Sequence, residues 1–546
     1  MQPENLTNNK FIVLFFFISF FVLGIFIYKD YGISLDEEFH RNNALFWYNY
    51  IKGHLPGVSS SIISESENLI INSISKKDDY VGSVPSIQPV PLAIFYEFIV
   101  DIFNIKETKN IFQYRHLYNF TIFLVGLAFF FKLIKKRFKS NFFSLMGCFF
   151  LFFTPRIFSE SFYNQQDIFF LSLTIINIFF GLQFLENPNL KNSLIFSLIS
   201  ALTIDTRIIG LVFFLLFLSL FFIKSLRNNS YIKKNWIFLL IVILSTYFLI
   251  VLFWPYLWSD IFKNTLFAFS ELLTYKFSLT NLYFGNLIPS TSIPWHYHLV
   301  WIFITTPLSV TLFFCFGIFF IIRRFSNRLL KIDENLNDIW RGNNELFDVY
   351  IMLMFLLPIF LFIKKNLGYD GWRHLYFIYP IILLITLHGI YYLKIFIKSK
   401  VIGSFIFFLI LLNFTYIAYW NLKYHPHQNV YFNPIFKSVF KDNFEMDYWG
   451  LSNNASINYI IKNNDTHPAK VFTLSFASLE KNKLMLDKID KSKIIVVNNL
   501  KDADFLITNY RNLTKDNFKV DKNKYRKYYE ILIDNVPINT IYKKVN

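Results

Sequence analysis

Long apolar runs separated by short basic loops dominate the chain up to position 420. Runs of about 15 to 25 apolar residues can cross roughly 30 Å of hydrocarbon as helices. Eleven such cores stand at 11–28, 117–134, 141–155, 168–185, 192–204, 208–223, 236–253, 299–322, 347–363, 374–393 and 401–420. The first resembles a secretory leader, but the bulky Ile27-Tyr28-Lys29-Asp30 is a poor cleavage site and predicts a retained anchor. The stretch 89–104 is apolar too, yet its opening prolines and the interior Glu97 and Asp101 predict an interfacial helix. Residues 29–116 form a long first loop that opens with the helical-looking LDEEFHRNNALFWYNYIKG and passes through a Ser-rich stretch at 58–79. After Trp420 the pattern changes. Strand-like runs at 470–476, 493–499 and 503–509 alternate with helical segments such as 455–463, which predicts a small α/β unit. The expected fold is thus an α-helical polytopic membrane protein, with about eleven transmembrane helices in a membrane domain over 1–420 and a small α/β domain over 421–546.

Composition narrows this picture. With 546 residues, 54% of them hydrophobic, 71 Phe and only 17 Gly and 17 Pro, the chain is neither disordered, collagenous nor a small disulfide scaffold. Cys148 and Cys315 both lie inside apolar runs, so no disulfide framework or Cys-based metal site can be built. The net charge of +17 would suggest a nucleic-acid partner in a soluble protein. Its placement says otherwise. Alternate short loops read KKRFK (135–139), KSLRNNSYIKK (224–234), RRFSNR (323–328) and KIFIKSK (394–400), nearly free of acid. The positive-inside rule puts them and the N-terminus in the cytoplasm, with the tail after Trp420 outside a plasma or inner membrane. Most of the excess charge is therefore an orientation signal, and no nucleic-acid partner is expected.

The other set of loops carries acids, His, Arg and Trp at span ends, and four clusters stand out. Asp36, Glu37 and His40 follow the first span; an acid pair so near the membrane can hold a general base or a metal, or else Ser34 caps a helix whose first turn carries the acids. Asp167, with Arg156 and Glu160 upstream, stands at the lip of the fourth span and either serves function or caps the helix. Asp205 and Arg207 cannot both face lipid, so they pair with each other or line a polar cavity where the Arg could hold a phosphate. Arg373 and His374, near Lys364 and Lys365, suit an anionic group or anchor the interface together with Tyr369 and Trp372. No phosphate-cradling Gly-rich loop, His-Glu-x-x-His or nucleophile elbow is present.

Taken in order, SLDEEFH (34–40), YRHLYN (114–119), FYNQQD (162–167), DTRIIG (205–210), WPYLW (254–258), PWHYH (294–298), YDGWRH (369–374), HPHQNVYFN (425–433) and DYWG (447–450) resemble an integral-membrane glycosyltransferase of the GT-C superfamily. The likeness is to the group around family 39, the protein O-mannosyltransferases and aminoarabinose transferases. It implies a polyprenyl-phosphate-linked sugar as donor, a glycan, lipid or protein acceptor as in protein O-linked glycosylation, and membrane lipids as surroundings. Asp36 and Glu37 then carry the first acidic motif, Asp36 as the base. Arg207, Arg373 and His374 are the candidates for the donor phosphate, and Asp167 and His40 for a metal or the acceptor. Gln165 and Gln166 depart from the family's two-acid pattern at Asp167, so a divalent metal stays open. The alternative from another class is a lipid flippase or transporter, which would place charges in mid-span and show related halves.

Overall fold

The apolar runs fold as helices in a computed structural model that describes residues 10–54, 86–227, 229–274, 278–330, 340, 342–366, 368–436, 440, 442–476, 478–514 and 518–545. The Ser-rich stretch 58–79 lies outside the described residues. In chain order the helices are α1 (Lys10–Ile27), α2 (Glu37–Gly53), α3 (Pro91–Ile102), α4 (Thr108–Phe138), α5 (Asn141–Phe153), α6 (Pro155–Tyr163), α7 (Gln165–Glu186), α8 (Leu190–Thr206), α9 (Gly210–Arg227), α10 (Asn229–Phe253) and α11 (Ile261–Thr274). A short hairpin of β1 (Thr280–Tyr283) and β2 (Asn286–Pro289) precedes α12 (Tyr297–Thr305), α13 (Leu308–Leu330), α14 (Gly342–Lys365), α15 (Tyr379–Phe396) and α16 (Lys400–Lys423).

Among the described residues eight helical segments are long and apolar enough to cross a bilayer: α1, α4, α7, α10, α13, α14, α16, and α15 extended by the 3-10 turn Arg373–Ile378. The pair α5 and α6 makes a ninth if counted as one broken span, bent by 68°. The break falls at Thr154, which precedes Pro155 and is extended (ψ 115°), because a proline ring pushes the residue before it out of the helical region. The chain is an integral membrane protein. The expectation of about eleven spans is corrected to eight or nine by length and composition, since the runs 192–204 and 208–223 form α8, of 17 residues, and α9, whose apolar part Gly210–Leu226 also falls short of the 18 residues of α1. A single helix over 299–322 is likewise divided, into α12 and α13, at Thr306-Pro307.

The α7 and α15 segments are largely buried, whereas α1, α10 and α16 expose rows of Phe, Leu and Ile as lipid-facing surface. Bulky rings fill much of the interior: Phe20 stacks on Phe152 at 3.6 Å and Phe120 on Phe162 at 4.5 Å. Where α13 meets α15 the backbones touch instead. A Cβ on Gly317 would stand 2.0 Å from the Ile385 carbonyl oxygen, and one on Gly389 2.2 Å from that of Phe313, the close approach that small residues permit between membrane helices.

Beyond α16 the chain forms α17 (Ser452–Asn463), β3 (Ala469–Thr473), α18 (Leu479–Lys483), α19 (Lys488–Ser492), β4 (Ile494–Val496), β5 (Phe505–Thr508), β6 (Tyr525–Ile533) and β7 (Val536–Lys544). Their sheet has the order β4-β3-β5-β7-β6, parallel between β3, β4 and β5 and antiparallel where β7 joins β5 and β6. Ile457 and Ile460 of α17 pack on Val471, Phe505, Ile507 and Ile541. The three strand-like runs and the helix read from the sequence are all present. The β6–β7 hairpin is an addition. Its turn is Asp534-Asn535, both left-handed (φ 47° and 65°), the backbone that a two-residue hairpin connection requires.

Candidate active site

The first acidic cluster is shaped by local hydrogen bonds. Ser34 and Glu37 close the turn that leads into α2: the Glu37 amide donates to the Ser34 carbonyl at 3.2 Å, and the Glu37 carboxylate reaches back to accept from the Ser34 amide at 3.1 Å. Its other oxygen contacts His116 Nε2 at 2.8 Å, and both side chains are buried. Glu37 is thereby committed to holding the start of α2. Asp36 occupies the N-cap position, but its side chain caps nothing; it turns to Arg373 and accepts from Nη2 at 2.8 Å.

Arg373 is the hub. Its guanidinium is 4% exposed and lies 3.3 Å from Asp370 and 3.7 Å from Asp167, besides the contact to Asp36. Trp449 and Tyr369 stack against it, at 4.6 and 5.0 Å from their ring centres. Asp167, in the first turn of α7, also pairs with Arg207 and accepts from Asn164 at 2.9 Å. Asp370 pairs in turn with Arg511 at 2.8 Å. Three carboxylates and three guanidiniums thus form one continuous chain of ion pairs, in which each buried charge has an opposite neighbour. Only Asp36 among the three acids opens toward solvent, with its side chain 32% exposed against 2% and 4% for Asp167 and Asp370.

The charges tune one another. Burial pushes the Asp36 carboxyl up, but the charges of Arg373, His40 and Arg511 and the Arg373 hydrogen bond outweigh it, leaving Asp36 below the usual carboxylate range. Asp370 goes the other way: burial lifts it, with Arg511 and Arg373 opposing. His40, one turn after Asp36, is driven down to about 4, first by burial and then by Arg115 and Arg373 against Asp36 and Asp167. Its imidazole is therefore neutral near pH 7.

Of the residues singled out in the sequence, Asp36, Asp167, Arg207 and Arg373 come together in this one cluster. His374 lies beside it, its ring 4.5 Å from that of Tyr369. Asp205 does not pair with Arg207; neither of its carboxylate oxygens has a hydrogen-bond partner among the described residues. Asp370 and Trp449 stand inside the motifs YDGWRH and DYWG but carry no role in the sequence reading, and Arg511 is missed altogether. The place of Asp370 three positions before Arg373 is the signal that could have assigned it. Arg511 sits in the loop after β5, in no pattern of its own, and reaches the site only because the sheet region folds back onto the helices. There the Leu35 amide donates to the Trp449 carbonyl at 3.0 Å and Lys481 Nζ to the Leu35 carbonyl at 3.0 Å.

A divalent cation does not fit this donor set. Asp167 already carries Arg207, Asn164 and Arg373, and among the described residues no three His, Cys, Asp or Glu side chains converge as metal ligands.

No family model and no curated protein matches the chain. Among solved structures it is similar to ArnT from Cupriavidus metallidurans bound to undecaprenyl phosphate, at 10% identity and a TM-score of 0.47, covering 97% of this chain and 98% of that one. The same protein in the apo state matches at 10% identity and a TM-score of 0.45, with 97% of each chain covered.

Proposed function

We propose that the chain is a GT-C-type membrane glycosyltransferase that moves a hexose or pentose from a polyprenyl-phosphate carrier to an acceptor hydroxyl, with inversion, on the outer face. The observation that carries this reading is the Asp36–Arg373 pair: an ionised, accessible carboxylate in contact with a buried guanidinium, at the end of a set of membrane-crossing helices. The ordered motifs from SLDEEFH to DYWG support it from the sequence side.

In this scheme the acceptor hydroxyl gives its proton to Asp36 while its oxygen bonds to the anomeric carbon. The bond from that carbon to the phosphate oxygen breaks, and its electron pair stays on the departing polyprenyl phosphate. Arg373, Arg207 and His374 hold that phosphate, where fixed donors act on developing charge. Base and phosphate on opposite sides of the sugar give inversion. Neutral His40 positions the acceptor hydroxyl, and Glu37 sets the bend that presents Asp36. Because a phosphate competes with Asp36 for the same guanidinium, donor binding frees the carboxylate and raises its basicity. No step uses a metal ion.

The test is transfer from labelled polyprenyl-phosphate sugars by the purified full chain. Removing a general base typically costs about 10²–10⁴-fold in rate, so Asp36→Asn should fall by that order while still folding and binding donor. Full activity in Asp36→Asn removes Asp36 from the mechanism. Donor movement between leaflets without any transfer replaces the enzyme with a flippase.

A further inference from the structure

A second charged site lies at the opposite end of the same helices. Lys132, Lys135, Lys136, Arg137 and Lys139, all in or just after the last turns of α4, line an open cavity of about 630 Å³ between the ends of α4, α7 and α14. From Arg115, which donates to the Glu37 carbonyl at 3.2 Å beside the active site, to Lys135 is twenty residues of α4, about 30 Å at the rise of an α-helix, or one hydrocarbon thickness. The cavity therefore sits at headgroup level on the other membrane surface.

Its charge is unbalanced. Lys136 is paired with Glu186 at 2.6 Å, and Arg137 is held by both oxygens of Asp348, at 2.7 and 2.9 Å. Asp348 is also shared with Arg324. Arg137 on the cavity wall is therefore already neutralised by the buried Asp348. Lys132, Lys135 and Lys139 remain exposed and have no ion pair among the described residues; Lys132 rests 4.5 Å above the Phe129 ring. The first turn of α14 contributes Asn343 and Asn344 to the wall, so side-chain amides and the positive end of a helix dipole face the same space as the lysines. Orientation alone requires basic loops, but it does not require them to converge from one helix end onto a cavity walled by two others.

The geometry points to a binding site for a phosphate-bearing anion in this cavity, with the headgroup of an anionic phospholipid as its occupant. A basic pocket between membrane helices on the cytoplasmic side is the form that such recognition takes, and Lys132 on its aromatic ring leaves the lipid tails an apolar exit beside α4.

Native mass spectrometry of the full chain, released from nanodiscs of phosphatidylcholine doped with phosphatidylglycerol, tests the assignment. The comparison is between wild type, Lys132→Gln/Lys135→Gln/Lys139→Gln, and the control Lys394→Gln/Lys398→Gln/Lys400→Gln, which removes as many cations from another basic loop. A lysine near the surface contributes roughly a fivefold factor, so the first variant should lose more than about tenfold of the retained phosphatidylglycerol while wild type and control keep it. Unchanged retention in the first variant, or equal loss in both, overturns the site. In a second arm, inorganic phosphate is added to the detergent-solubilised protein. Thermal protection that disappears in the first variant, without any retained phosphatidylglycerol, overturns the lipid source in favour of a soluble phosphate. Should the triple variant melt early, the single changes Lys135→Gln and Lys139→Gln give the same reading.

Discussion

Ionisable residues at this site are defined less by their type than by what they are paired with. Asp36 and Glu37 are neighbours, yet Glu37 is sequestered by Ser34 and His116 while Asp36 faces Arg373. The segment SLDEEFH shows the acids, but only the fold tells them apart. Glu445 gives a testable case nearby. Burial lifts its carboxyl to about 7, with Arg511 opposing and Asp370 adding. Between the ordinary glutamate range and about 7 the folded protein keeps a proton that the unfolded chain has released, so stability falls as pH rises through that window. Glu445→Gln mimics the protonated form and removes the slope. It should raise the melting temperature at about pH 8 and leave it unchanged at about pH 5; equal shifts at both would assign the effect to packing rather than charge.

At the scale of elements, the apolar runs identify the helices because a hydrocarbon core demands one continuous hydrogen-bonded segment per crossing. Their boundaries follow local rules, such as the break before Pro155 and the division at Thr306-Pro307. Contacts between elements do not. Gly317 and Gly389 lie in separate runs, and nothing in either run says that they touch. Gly389→Val would drive a side chain into the Phe313 carbonyl, with an overpacking cost of about 1–3 kcal/mol. A lower melting temperature in detergent is the expected outcome, and an unchanged one would mean that α13 and α15 are not in this register. The β6–β7 hairpin escaped the sequence reading for a different reason: Asp534-Asn535 is a turn signal, but the first strand runs Arg526-Lys527-Tyr528-Tyr529, with like residues side by side, and that blurs the alternation.

For the whole molecule, the sheet region and the helices share one charge network through Arg511 and Asp370. Removing a sole partner from a buried charge costs about 3–5 kcal/mol. Arg511→Ala should cost less than that, because Asp370 keeps Arg373 at 3.3 Å. Adding Asp370→Asn should recover part of the lost melting temperature, since the two residues are coupled; no recovery would mean that the Asp370 pair adds little to what Arg511 gains from the Tyr448 carbonyl and its other neighbours. The proposed orientation is tested separately. In a chain with Cys148 and Cys315 replaced, a cysteine at Arg526 should react with a membrane-impermeant maleimide from outside, and one at Lys398 only after permeabilisation; the reverse pattern would invert the topology. What the sequence by itself determined is the membrane class, the position of the helices, the strand-bearing tail and the acids and arginines at span ends, because hydropathy, charge asymmetry and proline are local properties of the chain. Which acid stays open, which arginine serves as hub, that Arg511 arrives from a sheet some 140 positions beyond Asp370, and that lysines of α4 meet α7 and α14 in a cavity were decided only by the tertiary structure. Burial and pairing depend on distances through space that no local pattern encodes.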